Sequence, residues 1–356
     1  MWRKLVLALL AFAALFILTG CIGGGGPSPV QQAIAWVTGI VSKFRGEPIQ
    51  GATVTLKETG QSTSTDQQGE FRLGTTYRGT GTLRAEAPGY LSLEWPVEIT
   101  DQGAAVRLRL VSLSDYSASL FSILTGATDT AGTMRWQSGT IRYYIDRSGT
   151  WDPKFDPVLR EAFEVWSMAT RRSAAFAEGD STSPLKITFV QSSPCGNQEY
   201  AGCAGVTFSS DGTIVSARVE LAAGYAASID LALHEIGHTL GLYGHSPNPD
   251  DVMYYRMNGA PSPSNSEAAV AAVLYANPPG TTLPNVVMPQ AAMPAARVPI
   301  EVEGDALAAT IPQNPGPPAG AEARSGSLGW WEAIMCRFSL FAPLCGGRIS
   351  LLDIGL

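Results

Sequence analysis

The chain has 356 residues but only three histidines, and all three fall in one short stretch, at His234, His238 and His245. His234 and His238 stand four residues apart, so a helix carries both imidazoles on one face and lets them share a metal ion. Glu235 sits beside them, in reach of a water at that ion without having to be a ligand. His-Glu-x-x-His on a helix is a zinc-hydrolase signature. Gly241 follows three residues after His238, where a left-handed turn would end the helix and reverse the chain. The reversal brings round His245 as a third imidazole; Asp250 and Asp251, in the loop beyond, are rival third ligands. Glu267 is the only acid placed on a downstream helix, and no matching motif surrounds it. Three protein donors leave zinc an open position for chemistry, whereas a structural site needs a fourth, for which no cysteine lies close in sequence.

The elements around this cluster follow from its neighbours. Ser228 is placed to cap the metal-bearing helix, with Asp230 in its first turn, where the helix dipole favours an acid. Ile141 to Ile145 reads as a strand. Asp156-Pro157 reads as the opening of a helix whose apolar stripe is Ala162, Phe163, Trp166 and Ala169, a spacing that suits core rather than a ligand platform. Leu185, Ile187 and Phe189 alternate, as do Val215, Ala217, Val219 and Leu221, each as a strand with one buried face. A closing helix is expected from Pro263 to Tyr275. The segment 132–278 is thus an α+β domain.

Upstream, 36–111 alternates in short runs separated by turn residues, such as Gly51 to Leu56, Thr65 to Phe71 and Val106 to Leu110. Strands every 8–12 residues predict an all-β antiparallel sandwich, so the chain is multidomain. Asp66 and Gly69 read as turn chemistry. A linker, 112–131, joins the two parts. At the start, Arg3 and Lys4 precede an apolar run from Leu5 to Leu18, too short for a span and ending at Thr19, Gly20 and Cys21, which describes an export signal over 1–20. Gly23 to Pro29 makes 21–35 a flexible tether. Residues 279–328 are a Pro/Ala-rich linker, and 329–356 form a small closed segment carrying Trp330, Trp331, Cys336 and Cys345. The net charge of −7 excludes a nucleic-acid binder that works by neutralising phosphates.

Three resemblances add to this. Leu18-Thr19-Gly20-Cys21 resembles a bacterial lipobox, which implies a lipid on Cys21 and a mature chain anchored to a membrane at the cell surface or the periplasmic face. Four cysteines then remain, and in an exported chain Cys195 with Cys203 and Cys336 with Cys345 read as two short-range disulfides, although four cysteines allow three connectivities. Gly39-Ile40-Val41, Pro48 to Val54 and Thr65 to Phe71 resemble the recurrent phrases of a carboxypeptidase-regulatory-like, transthyretin-like domain. Such modules act as spacers or as binding surfaces.

The run His234 to His245 resembles the metzincin pattern H-E-x-x-H-x-x-G-x-x-H, with a departure. Leu242, Tyr243 and Gly244 stand where most members have two residues before the last histidine. Asp251-Val252-Met253-Tyr254 resembles the Met-turn, in which a methionine, here Met253, packs beneath the imidazoles. With the order of elements over 132–278, this resembles a matrixin catalytic domain, and no cysteine-switch propeptide is visible. The resemblance implies one catalytic zinc, protein or peptide substrates, and Glu235 as general base. It leaves a structural calcium open, and offers Tyr255 as an oxyanion helper or a pocket wall. The rival class is a surface binding protein in which the sandwich does the work and the protease fold is vestigial. An intact Glu235 favours the enzyme.

Overall fold

The computed structural model describes residues 33–197 and 200–291, together with the backbone of 348–352. The export signal, Cys21, Cys336 and Cys345 lie outside the described residues. The described residues from Ala35 onward form one compact unit. Among the described residues no helix is long and apolar enough to cross a membrane.

The first part of this unit is the expected sandwich. Its strands are β1 (Ala35–Ser42), β2 (Thr53–Leu56), β3 (Gln61–Ser64), β4 (Glu70–Thr75), β5 (Gly79–Glu86), β6 (Leu93–Ile99) and β7 (Ala104–Arg109). They make two sheets, ordered β4-β1-β7 and β3-β2-β5-β6. Alternate residues such as Val37, Val54, Leu73, Leu83 and Leu108 face inward and are buried, as a pleat with one covered face dictates. One pairing departs from the antiparallel expectation: β1 and β7 run parallel. Parallel neighbours need a crossover, and here strands β2 to β6 supply it. Asp66 is turn chemistry, its Oδ1 accepting the amides of Gln68 and Glu70 at 2.9 Å each.

The segment read as a linker, 112–131, carries a 3₁₀ turn at Leu113–Asp115 and a helix, α1 (Ala118–Thr125). Ser117 caps α1 by accepting from the Leu120 amide, and Phe121 and Leu124 bury its inner face.

The α+β part contains β8 (Gly139–Ile145), α2 (Phe155–Ala169), β9 (Ala174–Glu178), β10 (Leu185–Val190), β11 (Gly202–Phe208), β12 (Ile214–Ala222), α3 (Ile229–Thr239), α4 (Asn265–Ala276) and β13 (Arg348–Leu352). Its sheet is ordered β13-β11-β12-β10-β8-β9. Strands β9, β8, β10 and β12 are parallel, whereas β11 lies antiparallel to β12 and β13 antiparallel to β11. Helix α2 begins one residue before Asp156, whose carboxylate accepts from Arg147 at 2.7 Å and the Trp151 indole at 2.9 Å. Trp166 is core, as its spacing implied, and its indole N–H donates to the Leu233 carbonyl of α3 at 2.8 Å.

The sandwich is joined to this part by specific contacts. Phe44, just past β1, is buried; its amide donates to Asn265 Oδ1 at 3.0 Å and its carbonyl accepts the Ser262 hydroxyl. Arg45 donates to the Asp250 carbonyl, and Arg171 to the Ser92 carbonyl at 2.9 Å. The sandwich therefore packs on residues either side of Met253 and on the residue pair that follows α2.

Candidate metal centre

Helix α3 is placed for its load by neighbours that satisfy its end. The last carbonyls of a helix lack intrahelical partners. Here the Trp136 indole donates to Thr239 O at 2.7 Å and the Tyr275 hydroxyl to Leu240 O at 3.1 Å. Ser228 does occupy the N-cap, but its hydroxyl turns to Asp230 rather than to a helix amide. Gly241 takes the expected left-handed turn, with φ at 109°.

The three histidines converge, each offering a ring nitrogen within 4.8 Å of the others. His234 Nδ1 lies 2.7 Å from Val252 O, and His238 Nδ1 lies 2.6 Å from Leu242 O. A carbonyl only accepts, so each Nδ1 carries a proton, and in a neutral ring Nε2 is then the ligating atom. Burial, then the neighbouring His245, hold His238 down to about 3, so it is neutral. Nε2 of His234 and Nε2 of His238 lie 2.9 Å apart. At that separation two ring nitrogens share either a proton or a metal cation. Imidazoles fixed by backbone carbonyls are the donor set that zinc takes.

The additional loop residue is accommodated by α1. Gly244 donates its amide to Leu124 O at 2.9 Å, and a Cβ at this position would stand 1.9 Å from Ile123 O. Only glycine can lie so close to the end of α1, and the residue after it is His245. Neither rival ligand is among the converging donors. Asp251 accepts from Ser246 at 2.6 Å and Asn248 at 3.0 Å, bracing the His245 loop, and Asp250 is exposed.

Met253 is fully buried, and a Cβ on Gly237 would meet its sulfur at 2.6 Å. A glycine inside a helix costs about 0.5–1 kcal/mol relative to alanine. Here it makes room for the methionine between the two ligand-bearing positions.

Residues 135–272 match the matrixin family, and residues 37–111 match the carboxypeptidase regulatory-like domain. The chain carries a matrixin domain. The match supports a zinc-dependent metalloprotease. No curated protein matches the chain. Two solved structures show a partial likeness, both crystal structures of interface mutants of a type II cohesin–X–dockerin complex from Acetivibrio cellulolyticus. They are 25% and 24% identical, over 21% and 22% of this chain and 51% and 58% of theirs, with TM-scores of 0.18 and 0.20.

Two residues of the matrixin domain matter more than their sequence context announced. Glu267, discounted as a ligand, holds the Met-turn. Its carboxylate accepts the amides of Met253 at 2.6 Å, Ser264 at 2.7 Å and Val252 at 3.2 Å, while Val252 O orients His234. The readable signal was the capping box Ser264-x-x-Glu267 at the start of α4. Burial, and next the charge of Asp251, push Glu267 up to about 7. The folded state thus keeps this proton between about pH 4.5 and 7, and stability declines as pH rises across that window. Glu267→Gln replaces an acceptor oxygen by an NH₂ facing backbone donors. It is expected to cost about 2–3 kcal/mol, weaken zinc binding and remove that pH slope. Thermal melts from pH 4 to 8 with zinc titration check this, and an unchanged melt would show that Glu267 does not hold the turn.

The second is Gly202, the first residue of β11. A Cβ there would lie 2.5 Å from Glu235 Oε1, so the strand passes directly against that carboxylate. Glu235 is itself fully buried. Cys195 and Cys203 are disulfide-bonded and close the loop leading into β11. Tyr255, by contrast, is 43% exposed and lies against Tyr254 and Arg256. Among the described residues, His234, His238 and His245 are the grouping of three or more His, Cys, Asp or Glu side chains able to hold an ion.

Proposed function

We propose that the chain is an exported, lipid-anchored zinc endopeptidase. The observation that carries the enzymatic part is the convergence of the His234, His238 and His245 ring nitrogens within 4.8 Å of one another, with the first two rings held at Nδ1 by backbone carbonyls. His234, His238 and His245 would hold the ion, and zinc, when bound, supplies a Lewis acid for the peptide carbonyl and the attacking water. Glu235 takes the proton from that water and hands it to the leaving amine. Met253 and Gly237 fix the floor under the imidazoles, and Glu267 fixes Met253. The edge of β11 runs past Glu235 and offers a place for an extended peptide to pair. The sandwich, through Phe44 and Ser262, braces the segment that follows the Met-turn.

The test is zinc content and peptide-library cleavage of the purified chain with and without a chelator. Stoichiometric zinc and chelator-sensitive cleavage that returns with zinc are expected. A zinc-loaded chain that cleaves nothing would favour a surface binding protein. The lipid anchor rests on the lipobox-like run at Cys21. Cys21→Ser is expected to abolish acyl labelling and detergent partitioning, and equal lipid incorporation in the variant would refute the anchor.

A further inference from the structure

An outer strand edge carries unpaired backbone N–H and C=O groups and is a ready template for another extended segment. In this fold the edge in question belongs to β11, and it is already taken. The segment Arg348–Leu352 pairs with it antiparallel, in the register Thr207 with Arg348, Val206 with Ile349, Gly205 with Ser350, Ala204 with Leu351 and Cys203 with Leu352. The direction of the pairing matters. β11 starts at Gly202, against Glu235, and runs away from it. An antiparallel partner therefore runs toward Glu235, and Leu352 is its residue nearest that end.

We infer that Arg348–Leu352 is an intramolecular occupant of the strand edge on which a peptide substrate would pair, so that the chain restrains its own protease site. This rests on the endopeptidase reading above. The observation behind it is independent of the histidines. One backbone edge beside Glu235 serves one strand at a time, so the chain's own segment and a substrate exclude each other. Because 348–352 is covalently attached, it competes at a fixed effective concentration whatever the protein concentration. Latency then needs no segment before the catalytic domain. Anything that draws 348–352 off β11, or cleaves the chain between Ala291 and Arg348, frees the edge.

The test uses the full chain and the double variant Ile349→Pro, Ser350→Pro. Successive residues of a strand point their N–H groups to opposite sides, so adjacent prolines remove a ladder donor whichever of the two is paired. Amide exchange over 202–208 reports occupancy of the edge, and cleavage of a quenched peptide reports its consequence. The variant is expected to exchange faster along β11 and to show KM about tenfold lower, with kcat unchanged. A synthetic peptide of residues 346–356 should restore the parent's KM competitively. Exchange along β11 equal to the parent's would overturn the inference, as would equal kcat/KM in two active proteins. Zinc-loaded protein inactive in both forms would instead overturn the protease reading, and the restraint with it. Should the double variant not fold, the peptide decides on the parent. A rise in KM without change in kcat supports the inference, and no inhibition at about 1 mM overturns it.

Discussion

His245→Ala is expected to lower zinc affinity by more than 100-fold while the sandwich stays folded. Loss of a group that merely orients a ligand typically costs 10–100-fold, and His245 supplies one of only three donors. The loop around it has its own supports: Gly244 on α1, Ser246 donating its amide to Met253 O at 2.7 Å, and Asp251 bracing Ser246 and Asn248. Removing the imidazole therefore leaves the backbone path in place. Asp251→Ala is expected to do the reverse, loosening the loop and lowering the melting temperature while zinc still binds one to one. Zinc titration with a competing chelator, paired with thermal melts, separates the two variants. Should His245→Ala retain stoichiometric zinc and Asp251→Ala lose it, the additional residue between Gly241 and His245 has moved the third ligand to the aspartate.

That additional residue also shows where sequence was legible and where it was not. The helix carrying His234 and His238, the left-handed turn at Gly241 and the strands β8, β10 and β12 were readable because each is governed by local periodicity or by one residue's conformational range. Whether a longer loop still returns His245 depends on Gly244 meeting α1, a contact made across the chain. No local pattern carries it, and α1 itself was hidden in a stretch that read as linker. The same holds for β11. Gly202-Cys203-Ala204-Gly205 is small and without alternation, and the strand exists because β12 pairs with it. The bracing role of Glu267 also went unread. As a candidate ligand it lacked a motif, while its capping box with Ser264 was in plain view and places the carboxylate beside the Met-turn. Local rules revealed what the metal needs; what holds those groups in place came from long-range packing.

Glu235→Ala is expected to keep zinc and fold but to lose peptide hydrolysis by 10²–10⁴-fold, the usual contribution of a general acid–base group. The side chain follows His234 on α3, is fully buried, and lies against the start of β11, where only a glycine leaves it room. Deleting it removes the proton acceptor but no metal ligand, so zinc content and fold should be kept while turnover falls. A glutamate that served only to tie the strand to the helix would show the opposite pattern, with a lower melting temperature and turnover preserved in the surviving folded protein. Turnover of a quenched peptide, zinc content and a melt distinguish the two. Gly202→Ala provides a second approach to the same geometry, since its methyl would press on Glu235 Oε1 without touching a metal ligand. If Glu235→Ala cleaves within about threefold of the parent, the barrier has moved by less than roughly 1 kcal/mol. Glu235 would then have no part in the proton transfer, and the closeness of β11 to it would be a matter of packing alone.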